Sequence, residues 1–163
     1  MKTDILSIAS LALVLFASCA SQDGFIAQDA KRCGPGQDIE IDAGFDPANA
    51  PQADRVDSRV TFMVEVANNS NHEITVKSVR VDPMSGNRDE LYQLQSGSVA
   101  FDKVVPEGES SLFEIPMTGS YGGSQFANPN MRGRGTTGRD VDVTVALADG
   151  GSVRCRFRVP VPA

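Results

Sequence analysis

The sequence predicts an all-β domain, and three observations predict it. Apolar residues recur at every second position in short segments, most clearly over 58–66, 140–148 and 152–160. Valine is abundant, and 15 Gly and 9 Pro among 163 residues supply punctuation for many turns. Long stretches with a 3.6-residue apolar period are missing, so helices have no face on which to pack.

The first element is a leader. Ile5 to Ala17 form an apolar run too short to span a bilayer as a helix, with Lys2 and Asp4 ahead of it. The run ends in Phe16-Ala17-Ser18-Cys19, which resembles the processing site of bacterial lipoproteins, although the family usually has Leu, Val or Ile where Phe16 stands. The resemblance implies cleavage of a signal peptide over 1–18, acylation of Cys19 and export to the cell envelope. The family's cysteine carries three acyl chains, and lasting attachment needs more than one. Ala20 after the cysteine is similar to outer-membrane sorting, with the domain facing the periplasm. The alternative is ordinary cleavage near Ala20 and a soluble periplasmic or secreted protein.

Loss of 1–18 deletes Lys2 and Asp4, leaving 14 basic and 20 acidic residues and an unchanged net charge of −6. That acidity argues against nucleic acid as a partner. The 145 remaining residues suit one domain with a sizeable core. With Cys19 acylated, Cys33 and Cys155 are an even pair in an oxidising compartment and read as a disulfide closing nearly the whole domain. Two unpaired structural thiols are the alternative.

Residues 19–37 are a polar tether with Gly-Pro-Gly near its end, and 38–163 form the domain. In 38–42, Ile39 and Ile41 share one face and Asp38, Glu40 and Asp42 the other, while 45–54 read as a loop. Over 58–66, Val60, Phe62, Val64 and Val66 point one way. An Asn-rich turn follows. In 73–81 the apolar phase switches between Ile74/Val76 and Val79/Val81, which predicts a β-bulge near Lys77-Ser78. Residues 82–90 form a turn-rich link, and strands at 91–94 and 98–105 flank Ser96-Gly97. The segment 112–117 is a short strand, placed at a sheet edge by Pro116.

Residues 118–139 carry six glycines in 22 positions without alternation and read as a long irregular insertion. Such loops often hold function. Tyr121 and Phe126 are candidates to anchor a partner, and Arg132, Arg134 and Arg139 to meet an anion. In the last two strands, Val141, Val143, Val145 and Leu147 face inward, as do Val153, Cys155, Phe157 and Val159. Matching these faces selects a three-residue loop, Asp149-Gly150-Gly151, that pairs Leu147 with Val153 and Val145 with Cys155.

That register puts Arg154, Arg156 and Arg158 on the outer face, with Asp142 opposite Arg158. The row reads either as an anion-binding stripe or as one half of an internal pairing, with Asp38, Glu40 and Asp42 of the first strand lying alongside. His72, the only histidine, falls in a polar turn, and the methionines lack the spacing of metal carriers, so no metal or other cofactor is expected. No G-x-S-x-G elbow occurs and no carboxylate pair stands out by spacing, so no catalytic residues are assigned.

The stretch "VTFMVEVANNSNHEITVKSVRV" resembles the B–C hairpin of bacterial secreted immunoglobulin-like domains, and "VVPEGESSLFEI" is similar to their later Pro-x-Gly-Glu turn. The resemblance implies an immunoglobulin-like antiparallel β-sandwich of about seven strands. The expectation that follows is a non-enzymatic, lipid-anchored protein that touches the membrane through its lipid and binds or helps assemble another envelope protein. Two alternatives are a protease-inhibitor-like module presenting 118–139, and an anion or glycan binder using Arg154, Arg156 and Arg158.

Overall fold

A computed structural model describes residues 33–34, 37–52, 57–84, 92–121 and 136–162. It is all-β, with eight strands: β1 (Ile39–Phe45), β2 (Asp57–Asn68), β3 (Ile74–Pro83), β4 (Tyr92–Leu94), β5 (Gly97–Val105), β6 (Ser110–Tyr121), β7 (Thr136–Leu147) and β8 (Ser152–Pro162). They form two antiparallel sheets, sheet A in the order β1-β2-β6-β4 and sheet B in the order β5-β3-β7-β8. The immunoglobulin-like resemblance implies about seven strands; the described residues form eight, because the two strands read at 91–94 and 98–105 are separate elements that fall in different sheets.

The core lies between the sheets and is made by the alternation read from the sequence. Val60, Phe62, Val64 and Val66 of sheet A meet Val79, Val81, Val141, Val143 and Val145 of sheet B, all at 1% exposure or less. Each such side chain contributes roughly 1.5–3 kcal/mol when fully buried. The β3 bulge falls between Val76 and Ser78, as the phase switch predicts. Val76 and Val79 both point inward there, so the extra residue repairs the phase.

Several expectations need correction. β1 continues to Phe45, which is fully buried and packs edge-on against Phe62 at 5.2 Å, so the loop begins at Asp46, where a short 3₁₀ turn over Pro47–Asn49 is capped. β2 and β3 are not a hairpin: they belong to different sheets, and the chain arches from one to the other. Asn68 makes that arch. Its fully buried side chain donates to the carbonyls of His72, Val105 and Pro106 and accepts from the Ser70 hydroxyl. One amide thus ties the β2–β3 arch to the β5–β6 turn, where Gly108 takes φ +72°.

β6 is twice as long as expected and lies between β2 and β4 rather than at an edge. Pro116 is nevertheless accommodated at a locally open flank. The Gln95 amide donates to the Thr118 carbonyl, so the backbone groups of alternate residues 112, 114, 116 and 118 face the β4 side. β4 pairs only with 119–121, and the missing Pro116 amide falls beyond its end. Both ends of the expected insertion are strand: Thr118–Tyr121 belong to β6 and Thr136–Arg139 to β7.

Candidate functional site

The site is built on the outer face of sheet B, and register decides what it contains. β7 and β8 are joined by a three-residue loop, but it is Ala148-Asp149-Gly150, one residue earlier than expected. Gly150 donates to the Leu147 carbonyl and Leu147 to the Gly151 carbonyl, a turn closed by a bulge with Gly150 at φ +88°. The expected pairs are therefore displaced by two residues: Val145 opposes Val153 and Val143 opposes Cys155. Face matching fixes only the parity of a register. Which glycine takes the left-handed position fixes the rest, and it is the glycine that follows Asp149, whose side chain accepts from the Gly151 amide.

In the observed register Asp142 sits opposite Arg156, Asp140 opposite Arg158, and Thr144 opposite Arg154. On the other side of β7, Arg80 opposes Thr144 and Asp82 opposes Asp142. The outer face thus has an ordered plan of four arginines and three aspartates. Asp142 is its pivot. Its side chain is 3% exposed, bidentate with Arg156 (Nε to Oδ1 2.9 Å, Nη2 to Oδ2 3.3 Å) and bonded to Arg154 Nη2 at 2.5 Å. Arg80 Nε donates to Asp82 Oδ2 at 2.7 Å, and Arg158 Nη1 stands 3.6 Å from Asp140 Oδ1. The arginines remain half exposed or more, so the aspartates orient them without covering them.

The electrostatics follow from the geometry. The hydrogen bond from Arg156, helped by Arg154, holds the Asp142 carboxyl below the usual carboxylate range against the opposing cost of burial. The Asp82 carboxyl is lowered chiefly by its bond from Arg80, with a further bond from Ser96. Met84 adds a soft contact, its sulfur 3.7 Å from Arg156 Nη2. Asp82 and Met84 fall in the segment 82–90 that reads as a turn, whereas β3 runs to Pro83 and the Met84 amide still bonds the Asp140 carbonyl; Arg80 lies in the expected strand, on the outward side set by the bulge. The bulge was the available signal, since it turns Arg80 and Asp82 outward together.

The expected pairing of Arg154, Arg156 and Arg158 with the acids of the first strand is not made within a sheet. β1 is the edge of sheet A and β8 the edge of sheet B. What joins these two edges is the Cys33–Cys155 disulfide, which brings the two Cα atoms to 5.7 Å across 122 residues of chain. Cys33 also exchanges two backbone hydrogen bonds with Ile41 of β1, at 2.9 and 3.0 Å.

The remaining candidates scatter. Arg139 is buried in β7, on the same face as Val141, and burial pushes its pKa down; it is not part of the outer face. Tyr121 ends β6, paired with Tyr92. Cys19, Phe126, Arg132 and Arg134 lie outside the described residues. His72 is exposed, with Nδ1 3.2 Å from Asn71 Oδ1. Among the described residues no three His, Cys, Asp or Glu side chains are grouped to hold a metal ion, and no helix is long and apolar enough to cross a membrane. An open groove on sheet A, lined by Glu40, Asp42, Glu65 and Glu109, gives the opposite outer face an acidic character.

No protein-family model matches the chain, and no curated protein does. Solved structures show a distant likeness. A Bordetella pertussis chain provisionally called ApaA shares 11% identity over 76% of this chain and 90% of its own, with a TM-score of 0.43. A FixG-related protein from Vibrio parahaemolyticus shares 12% identity over 77% of this chain and 97% of its own, with a TM-score of 0.38.

Proposed function

We propose that the chain is a non-enzymatic envelope protein, lipid-anchored at Cys19, whose immunoglobulin-like sandwich binds or helps assemble another envelope protein. The observation that carries the binding role is the arginine row of β8, propped outward by Asp142 and Asp140 and exposed on a face free of covering elements among the described residues. A buried carboxylate that spends its bonds orienting exposed guanidinium groups suits recognition, because pre-oriented side chains lose less entropy when they bind. Export is supported by the disulfide, which persists in oxidising compartments. The immunoglobulin-like reading is supported by strand order. Sheet A follows the A-B-E-D order and sheet B places β3, β7 and β8 as C, F and G. The chain departs from that pattern in visiting β4 before β5, so its two outermost central strands exchange sequence positions.

The test has two arms. Cys19→Ala is expected to release the protein from the membrane fraction and abolish acyl labelling; retained attachment with unchanged labelling overturns the anchor. A photo-crosslinking residue in place of Arg158 is expected to capture a specific protein in intact cells, while one in place of Glu114 on sheet A is not. Equal capture from both positions, or from neither, overturns the assignment of the contact surface.

A further inference from the structure

We propose that the edge of β8 left open among the described residues accepts an extended, acidic segment of a partner polypeptide as an added strand, with the segment's carboxylates seated on Arg154, Arg156 and Arg158. The inference rests on the reading of this face as the contact surface and names what it contacts.

Backbone direction is the first support. Leu147 donates to Gly151, and hydrogen-bonded pairs alternate along an antiparallel ladder, so Val145–Val153 and Val143–Cys155 are bonded pairs. The Met84 amide reaching the Asp140 carbonyl on the β3 side gives the same phase independently. The backbone groups of Ser152, Arg154, Arg156 and Arg158 therefore point away from β7, to the open edge. Pro160 and Pro162 share that phase, so their missing amides also fall on the open edge and the row of donors stops at Arg158. The residues that offer free backbone groups are thus the residues that carry the outward guanidinium groups, together with Ser152.

Spacing is the second. Alternate residues of a strand lie about 6.6–6.8 Å apart. An added strand has the same pitch, and its outward side chains stand roughly 5 Å from those of its neighbour. A segment with acids at alternate positions therefore meets Arg154, Arg156 and Arg158 one to one. A point anion uses one or two of the three.

The other edges are obstructed or lack the charge. Cys33 occupies the β1 edge at Ile41. The open flank of β6 carries Pro116, and Lys103 Nζ reaches the Leu112 carbonyl at 3.4 Å. The β5 edge mixes Ser98, Ala100, Asp102 and Val104. Exposed charge normally deters strand addition. A row of one sign deters neutral and basic strands and selects an acidic one.

The experiment titrates the full chain in detergent with a capped octapeptide alternating Glu and Thr, at fixed ionic strength. Expected are binding at least tenfold tighter than that of the Lys-Thr peptide and slowed hydrogen exchange at the Arg154, Arg156 and Arg158 amides. The same peptide N-methylated at alternate amides keeps every charge and loses its edge bonds, so it is expected to bind at least tenfold more weakly. Arg158→Gln removes only the longest ion pair and is expected to weaken binding about two- to fivefold. Equal binding of the N-methylated peptide, full displacement by inorganic phosphate at the same ionic strength, or no binding of the Glu-Thr peptide overturns strand addition. Such a failure with crosslinking from position 158 intact leaves the binding surface standing, so the two readings fail separately.

Discussion

The two flanks of the sandwich are closed by different means. Where β1 and β8 run along one side, closure is covalent: Cys33 bonds to Cys155 and pairs with Ile41. Where β5 and β6 run along the other, closure is by fit. Phe101 meets Phe113 edge-on at 4.9 Å, Lys103 lies over the Phe113 ring at 5.1 Å, and Gly97 lets β5 approach Met117 and Pro116. A single cross-link can hold a flank while leaving the neighbouring strand edge uncovered among the described residues, whereas a packed flank commits its edge to contacts. The uncovered edge is β8, and it carries the arginines.

Four substitutions test this contrast. Removing the disulfide with Cys33→Ala/Cys155→Ala has the largest expected effect, about 2–5 kcal/mol of unfolding free energy in a denaturant titration, since it closes a loop of more than 100 residues. A loss under about 1 kcal/mol makes the covalent flank redundant. Next is Gly97→Ala on the packed flank. A Cβ there would lie 2.8 Å from Met117 Cγ and from the Pro116 carbonyl oxygen, and the clash is expected to cost about 1–3 kcal/mol. Unchanged stability means the flank is loosely packed after all.

Asp142→Asn comes third, at about 1–2 kcal/mol near neutral pH, moderated because both arginine partners are solvated. Its pH dependence sharpens the assignment. The Asp142 carboxyl is lowered in the folded state, so its stabilisation is complete above the ordinary carboxylate range of about 4 and is lost as pH falls through the folded value. The gap between wild type and Asp142→Asn is therefore expected to narrow on acidification, and a gap constant to pH 2 refutes the ion-pair origin. The smallest effect belongs to Asp102→Ala. The Lys77–Asp102 pair is short, at 2.6 Å, yet 49% and 77% exposed. Its loss is expected to change thermal stability by less than about 0.5–1 kcal/mol.

Parity was legible in the sequence and register was not. Every inward residue expected in β2, β3 and β7 up to Val145 is buried, because alternation with a strongly apolar side admits one orientation. The pairing of β7 with β8 slipped by two residues because two registers bury the same faces and neighbouring glycines can each take the left-handed position. The arginines of the site were visible for the same reason as the core, by alternation. Their true partners were not, since the pairing of Asp142 depends on the register, and Arg80 and Asp82 reach the outer face only through the bulge between Val76 and Ser78. The Asn-rich run around Asn68 reads as a turn by composition, while its fully buried side chain acts as a cap on the arch. Pro116 misled by a local truth, since its flank is open although its strand is interior.

Cys33 belongs to two strands at once, hydrogen-bonded to β1 and covalently joined to β8. Tension entering from the N-terminal side, as the proposed anchor at Cys19 would apply it, meets that junction before it reaches the β1 ladder. The load then passes through a sulfur–sulfur bond into β8, which is zipped to β7 over 11 residue pairs. A domain pulled from that side resists being peeled open from its first strand.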